Sequence, residues 1–316
     1  MFNRFITSPE TMVTTYEQTR TGFLSIALEK NRVGDPYVRN AFAFKTMVLD
    51  VSQPEDLLQI PQVRPFLLTA SGLSDKSMQY LSTADQTRAI EELIEKFLIP
   101  SGSNFVDEAI YRYLLIKGDA VGGILRNRIG ALGQEKLIRC ILSCMNVQGI
   151  AYDWVENERN GSWKHRTGND GGIERTLKAL HWENENGHRV LAFNLKIPVV
   201  SKNVDICLFD CDTGRYNHGR IAQHPDAALM MGELKGGIDP AGADEHWKTA
   251  NSALDRIRTS FQAIGIDIAT SFVGGAIANA MAHEIYGQLA AGTMTNAANL
   301  NDTNQLVEYC NWLIGL

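Results

Sequence analysis

Up to about residue 117 the apolar positions recur three and four apart, and no two-residue alternation appears before residue 145. Ser8, followed by Pro9 and Glu10, reads as a helix start. A helical pattern runs from there to about Lys30, and another from about Tyr37 to Leu49. Ser82 or Thr83 caps a third, in which Ile90, Leu93, Ile94, Phe97 and Leu98 share one face until Pro100 and Gly102 stop it. Val106, Ile110, Tyr113 and Leu114 mark a fourth. Gly118-Asp119 then opens a long helix, GDAVGGILRNRIGALGQEKLIRCILSCMN, apolar at its end.

After Gly149 the pattern changes. YDWVENERNGSWKHRTGNDGG is polar and rich in Asn and Gly, which predicts a long exposed loop or insertion. Strands are predicted at Val190–Val200, Val204–Phe209 and Ala227–Leu234. A helix over Asp244–Phe261, a short buried strand over Ser271–Ile277 and a final helix over Leu300–Leu316 complete the chain. This order predicts a mixed α/β core. We divide the chain into a helical domain, 1–117, and an α/β domain, 118–316.

The chain of 316 residues is 44% hydrophobic and 21% charged, the profile of a globular protein. No apolar run reaches the roughly 18 residues of a membrane span, and MFNRFITSPE lacks the apolar stretch of a secretory signal, so a cytoplasmic location is expected. The formal net charge of −6 counts only weakly against a nucleic-acid partner, because basic residues can gather in one cleft. The two C-x3-C spacings, Cys140/Cys144 and Cys207/Cys211, would suit a four-thiolate zinc site. Cys140 and Cys144 instead share one face of an apolar helix and Cys207 lies inside an apolar strand, so we read them as core thiols.

Candidate chemistry gathers at two strands. Residues i and i+2 of a strand point to one face, so Glu233 and Lys235 emerge together at the end of an apolar strand. Asp205 interrupts another, between Val204 and Ile206. If the two strands are neighbours, Asp205 and Glu233 meet. Two carboxylates about 5 Å apart repel by roughly 3 kcal/mol at an effective dielectric of about 20. A divalent cation compensates that, and hard carboxylate oxygens select Mg²⁺. Lys235 adds further compensation. Such an ion beside a lysine suits phosphoryl chemistry. The pattern D…E-x-K alone is common, most often as a solvated pair.

The segments KNVDICLFD and GELKGGIDPAGADEHWKTAN resemble the AvaI/BsoBI family of type II restriction endonucleases. YEQTRTGFLSIALEKN, ASGLSDK, FVDEAIYRYLLIKGDAVGGILRN and TNAANL are similar to that family too, so the resemblance covers nearly the whole chain; it is weakest from Trp154 to Gly187. It implies a PD-(D/E)XK nuclease core, a mixed β-sheet flanked by helices, with an added N-terminal helical domain that helps enclose DNA. It implies a homodimer that cuts both strands of double-stranded DNA at CYCGRG, leaving 5′-phosphates and a 5′ overhang, and a cognate DNA methyltransferase in the same host. Asp205, Glu233 and Lys235 take the family's catalytic roles, with Asp205, Glu233 and the Leu234 backbone carbonyl as Mg²⁺ ligands. The family's proline is absent before Asp205, where Val204 stands; Pro198 lies upstream.

Near the first turn of the following helix, His246 is the family's candidate general base, its ordinary pKa of about 6.5 suiting that work; the other reading is a phosphate contact or a structural histidine. By resemblance Asp239 and Lys76 read bases, an acceptor for cytosine N4 and a donor for guanine. Their ordinary readings are a turn aspartate before proline and a solvated lysine. Lys202, Lys248 and Arg126 are candidate phosphate contacts, each otherwise an exposed surface charge. Three rivals stand beside this reading: another PD-(D/E)XK nuclease of repair or junction resolution, a DNA-binding module without catalysis, and an Mg²⁺ enzyme acting on small phosphorylated molecules. The last has no GxxxxGK[ST] or GxGxxG loop to support it.

Overall fold

A computed structural model describes residues 2–156, 162–167 and 170–316. Packing divides the chain into two compact units, residues 24–128 and residues 1–23 together with 129–316. The expected division drew a single boundary after residue 117. The N-terminal arm joins the α/β unit because it is hydrogen-bonded there: the Asn3 side chain donates to the Ala297 and Gln305 carbonyls at 3.1 and 2.7 Å.

The helical elements are α1 (Tyr16–Met47), α2 (Arg64–Ala70), α3 (Asp75–Met78), α4 (Thr83–Leu93) and α5 (Phe105–Gln148). Two expectations are corrected. The patterns expected to end near Lys30 and resume near Tyr37 are one helix, continuous through Pro36; ion pairs Glu29–Arg32 and Asp35–Arg39 flank the proline. Gly118 does not open a helix either. The break lies earlier, at Gly102, whose φ of +54° is the left-handed backbone that glycine tolerates. From Phe105 the chain then runs as one helix of 44 residues. In the unit 24–128 the core centres on a stack of Phe44, Phe66 and Tyr113, with ring centroids 3.9 and 4.0 Å apart.

Among the described residues the other unit is built on eight strands: β1 (Tyr152–Glu156), β2 (Lys164–His165), β3 (Leu177–Asn184), β4 (Gly187–Ile197), β5 (Lys202–Asp210), β6 (Ala228–Lys235), β7 (Ala269–Gly274) and β8 (Asn296–Asn299). They form one mixed sheet in the order β2-β1-β3-β4-β5-β6-β7-β8. Pairing is antiparallel as far as β6 and parallel from β6 through β7 to β8. The mixed α/β expectation with a helical N-terminal region therefore holds. The segment read as an exposed loop, 152–172, carries β1 and β2 instead, with 157–161 and 168–169 outside the described residues, and β3 follows it without having been expected.

Helices α6 (Thr213–Tyr216), α7 (Pro240–Gln262), α8 (Asn279–Ala290) and α9 (Thr303–Gly315) complete this unit. Strand alternation feeds two cores. On β4, Val190 and Ala192 join one core with α7 and α8, while Leu191 and Phe193 join the other with α9 and the end of α5. The C-x3-C pairs are divided in the same way: Cys207 and Cys211 lie in the first core, Cys140, Cys144 and Cys310 in the second. The four-thiolate grouping is thereby excluded. No described helix is long and apolar enough to cross a membrane.

Candidate active site

Strands β5 and β6 pair antiparallel with Ile206 opposite Gly232. One residue further along the same register, Asp205 faces Glu233. Gly232 is required just before the acid: a Cβ there would lie 2.5 Å from Ser271 Oγ on β7. Glu233 is only 5% exposed, although it ends an apolar strand. Asp205 accepts a hydrogen bond from the Leu234 backbone N–H at 2.9 Å, which fixes one carboxylate oxygen against the neighbouring strand. Lys235 donates to Glu233 Oε2 at 2.7 Å and to Asp205 Oδ2 at 3.2 Å. Strand geometry thus brings together the two acids and the lysine as their spacing implies.

Electrostatics at this point are unbalanced. Burial, and then the charge of Asp205, raise Glu233 from 4.5 to about 7, with Lys235 opposing. The facing carboxylates hold the Lys235 ammonium above its usual range despite a larger opposing effect of burial. Two acids share one base, and the excess is a negative charge held at a wall of a cleft. That cleft, about 780 Å³, is bordered by Asp205, Glu233, Lys196, Lys202 and, from α7, Thr249 and Arg256. Its three cations make no ion pair among the described residues. An oxygen-only donor set with unspent negative charge fits a hard divalent cation.

The chain leaves β6 through Gly236 and Gly237. Gly133 of α5 and Gly236 lie backbone on backbone; a Cβ on Gly133 would come 2.6 Å from the Gly236 Cα. Asp239 follows as the N-cap of α7, its carboxylate accepting from the Ala241 N–H at 3.0 Å, with Pro240 at the first helical position. Helix α7 therefore begins one turn before the expected Asp244, and His246 falls in its second turn rather than its first. His246 is exposed, and its ring lies over Gly242, where a Cβ would approach Nε2 to 3.4 Å. Lys248, also exposed, forms an ion pair with Asp244 one turn back. Lys202, the first residue of β5, borders the cleft. Lys76, on α3, and Arg126, on α5, are exposed residues of the helical unit.

Sequence reasoning missed Lys196 and Arg256. A signal existed for Arg256: Thr249, Ser252 and Arg256 follow helical spacing along one face of α7. Lys196 carried none, being one lysine near a strand end.

The whole chain, residues 2–316, matches the family model described as restriction endonuclease BsobI. The chain belongs to the BsoBI family of restriction endonucleases. It is 44% identical over 317 residues to the type II restriction enzyme BsoBI of Geobacillus stearothermophilus, covering 100% of this chain and 98% of that protein. It is 46% identical over 311 residues to the type II restriction enzymes AvaI of Nostoc sp. (strain PCC 7120) and of Anabaena variabilis, covering 98% of each chain. As a member of the BsoBI family it is a type II restriction endonuclease, and the resemblance read from its motifs extends over its length.

Proposed function

We propose that this enzyme is a homodimer that hydrolyses double-stranded DNA at the degenerate palindrome CYCGRG, with Mg²⁺ as cofactor, leaving 5′-phosphates and a 5′ overhang. The observation that carries the reading is the Lys235 ammonium held between Asp205 and Glu233, two acids that border a cleft whose three cations make no ion pair among the described residues. The arrangement matches the PD-(D/E)XK pattern except for Val204 in the proline position. Two-fold symmetry suits a palindrome, each subunit cutting one strand.

Asp205, Glu233 and the Leu234 carbonyl are the proposed Mg²⁺ ligands. When bound, the ion supplies positive charge that acidifies water and offsets charge on the scissile phosphate. Lys235 orients the attacking water and stabilises the charge that develops on phosphorus. The water oxygen forms a bond to phosphorus as the bond to the 3′-oxygen breaks, and that oxygen takes up a proton. His246 is the proposed acceptor of the water's proton, in reach of solvent and free of hydrogen bonds among the described residues. Lys202, Lys248 and Arg126 are assigned to phosphates. Asp239 and Lys76 are assigned to bases, Asp239 having to exchange its cap bond to Ala241 for a cytosine amino group. A host with this enzyme needs a methyltransferase that modifies the same site, and both act in the cytoplasm.

The test is digestion of a sequenced plasmid with Mg²⁺, with the cut ends mapped. The reading predicts discrete fragments, each ending in a 5′ overhang within CYCGRG. A smear, or ends at another sequence, contradicts it.

A further inference from the structure

Cys140 and Cys144 are one helical turn apart on α5, so their side chains share a face. Cys310 approaches from α9. Ligand atoms of the three lie within 4.8 Å of one another. Cys144 and Cys310 are buried, and Cys140 is half-buried at the edge of the group. Around a tetrahedral zinc ion with Zn–S near 2.3 Å, sulfurs sit about 3.8 Å apart. A contraction of no more than about 1 Å would bring the three into that geometry.

We propose that Cys140, Cys144 and Cys310 form a three-thiolate site for a zinc-class divalent cation, separate from the carboxylate centre. Thiolates select soft and borderline ions, as the acids at the cleft select hard ones. Charge supports the assignment. Lys136 lies one turn before Cys140 on α5, and its ammonium is anchored at 2.8 Å on Asn301, just ahead of α9. Three thiolates are neutralised by a divalent ion and this one ammonium. Cys140 is the member of the group nearest solvent. No comparable cluster exists among the described residues. The bound ion would clip the C-terminal helix to the end of α5, a structural rather than a catalytic role.

The test uses the full chain, reduced and freed of metal, titrated with Cd²⁺ while the thiolate-to-metal charge-transfer absorption is followed in the ultraviolet. Oxygen ligands give no such band, so Asp205 and Glu233 do not interfere. The band is expected to saturate at one equivalent, to disappear on adding excess Zn²⁺, and to be unchanged in Cys211→Ser. In Cys310→Ala it should weaken and lose its one-equivalent endpoint. Cys140→Ser gives the same readout at a half-exposed position, where folding is least at risk and is checked by circular dichroism. Absence of the band in the unaltered chain, an undiminished band in Cys140→Ser, or an equal loss in Cys211→Ser overturns the proposal.

Discussion

At the Asp210 end of β5 the Arg189 guanidinium is buried with both its terminal nitrogens paired, while its Nε has no hydrogen-bond partner among the described residues. It donates to Asp210 at 3.0 Å and to the His188, Asn186 and Leu316 carbonyls at 2.9, 3.4 and 2.9 Å. At the Asp205 end of the same strand, two carboxylates share one ammonium and Glu233 is held partly protonated. One end spends its charge on the fold and closes. The other keeps charge unspent beside an open cleft. A buried ionic group whose charge is paired and held by carbonyls of the fold is structural; one with excess charge and an opening is ready for a ligand.

Substitution should separate the two ends. At the acid end, Lys235→Ala or Asp205→Asn should lower DNA cleavage by roughly 10²–10³-fold or more, measured as single-turnover rate on a one-site duplex, with little change in melting temperature. At the closed end, Arg189→Met should do the reverse. It leaves three carbonyls without their donor and should cost about 2–3 kcal/mol in urea unfolding, while cleavage per folded molecule stays unchanged. A smaller effect concerns pH. In chelator the native protein keeps a proton on Glu233 that the unfolded chain releases, because folding raises this group from 4.5 to about 7. Its contribution to stability is complete below 4.5 and is lost as pH rises through about 7. Glu233→Gln should flatten that part of the stability profile; an unchanged slope would show that Glu233 is not the group. Smallest are the cleft cations. Lys202→Ala and Arg256→Ala should each reduce the salt dependence of DNA binding by about 0.9 in log–log slope, read by fluorescence anisotropy across a salt series.

The same contrast explains what the sequence made legible. Strands β4 to β7 and helix α7 announce themselves through apolar runs, and Asp205 and Glu233 stand out because they break such runs. The spacing E-x-K then places Lys235 on the acid's side. Arg189 breaks a run as well, beside Val190, yet its partners are backbone carbonyls from residues as distant as Leu316, which no local pattern discloses. Strand β8 was missed for a related reason. Its Asn296 and Asn299 read as loop residues, but both are buried, Asn296 accepting from the Asn3 N–H and Asn299 donating to the Met12 carbonyl. Helix α8 followed too short a connection to stand apart from its neighbours. Pro36 and Gly118 looked like breaks because local propensity favours them as breaks; continuity through both comes from the packing of α1 and α5.

The most direct measurement is cleavage of a duplex carrying CYCGRG by Glu233→Gln in saturating Mg²⁺, beside its melting temperature in chelator at pH 7. This change keeps the shape of the side chain and removes only its charge. Cleavage is expected to be lost while the melting temperature holds or rises, since the acid is retained at a cost to the fold. Cleavage at the unaltered rate would contradict the role proposed for Glu233.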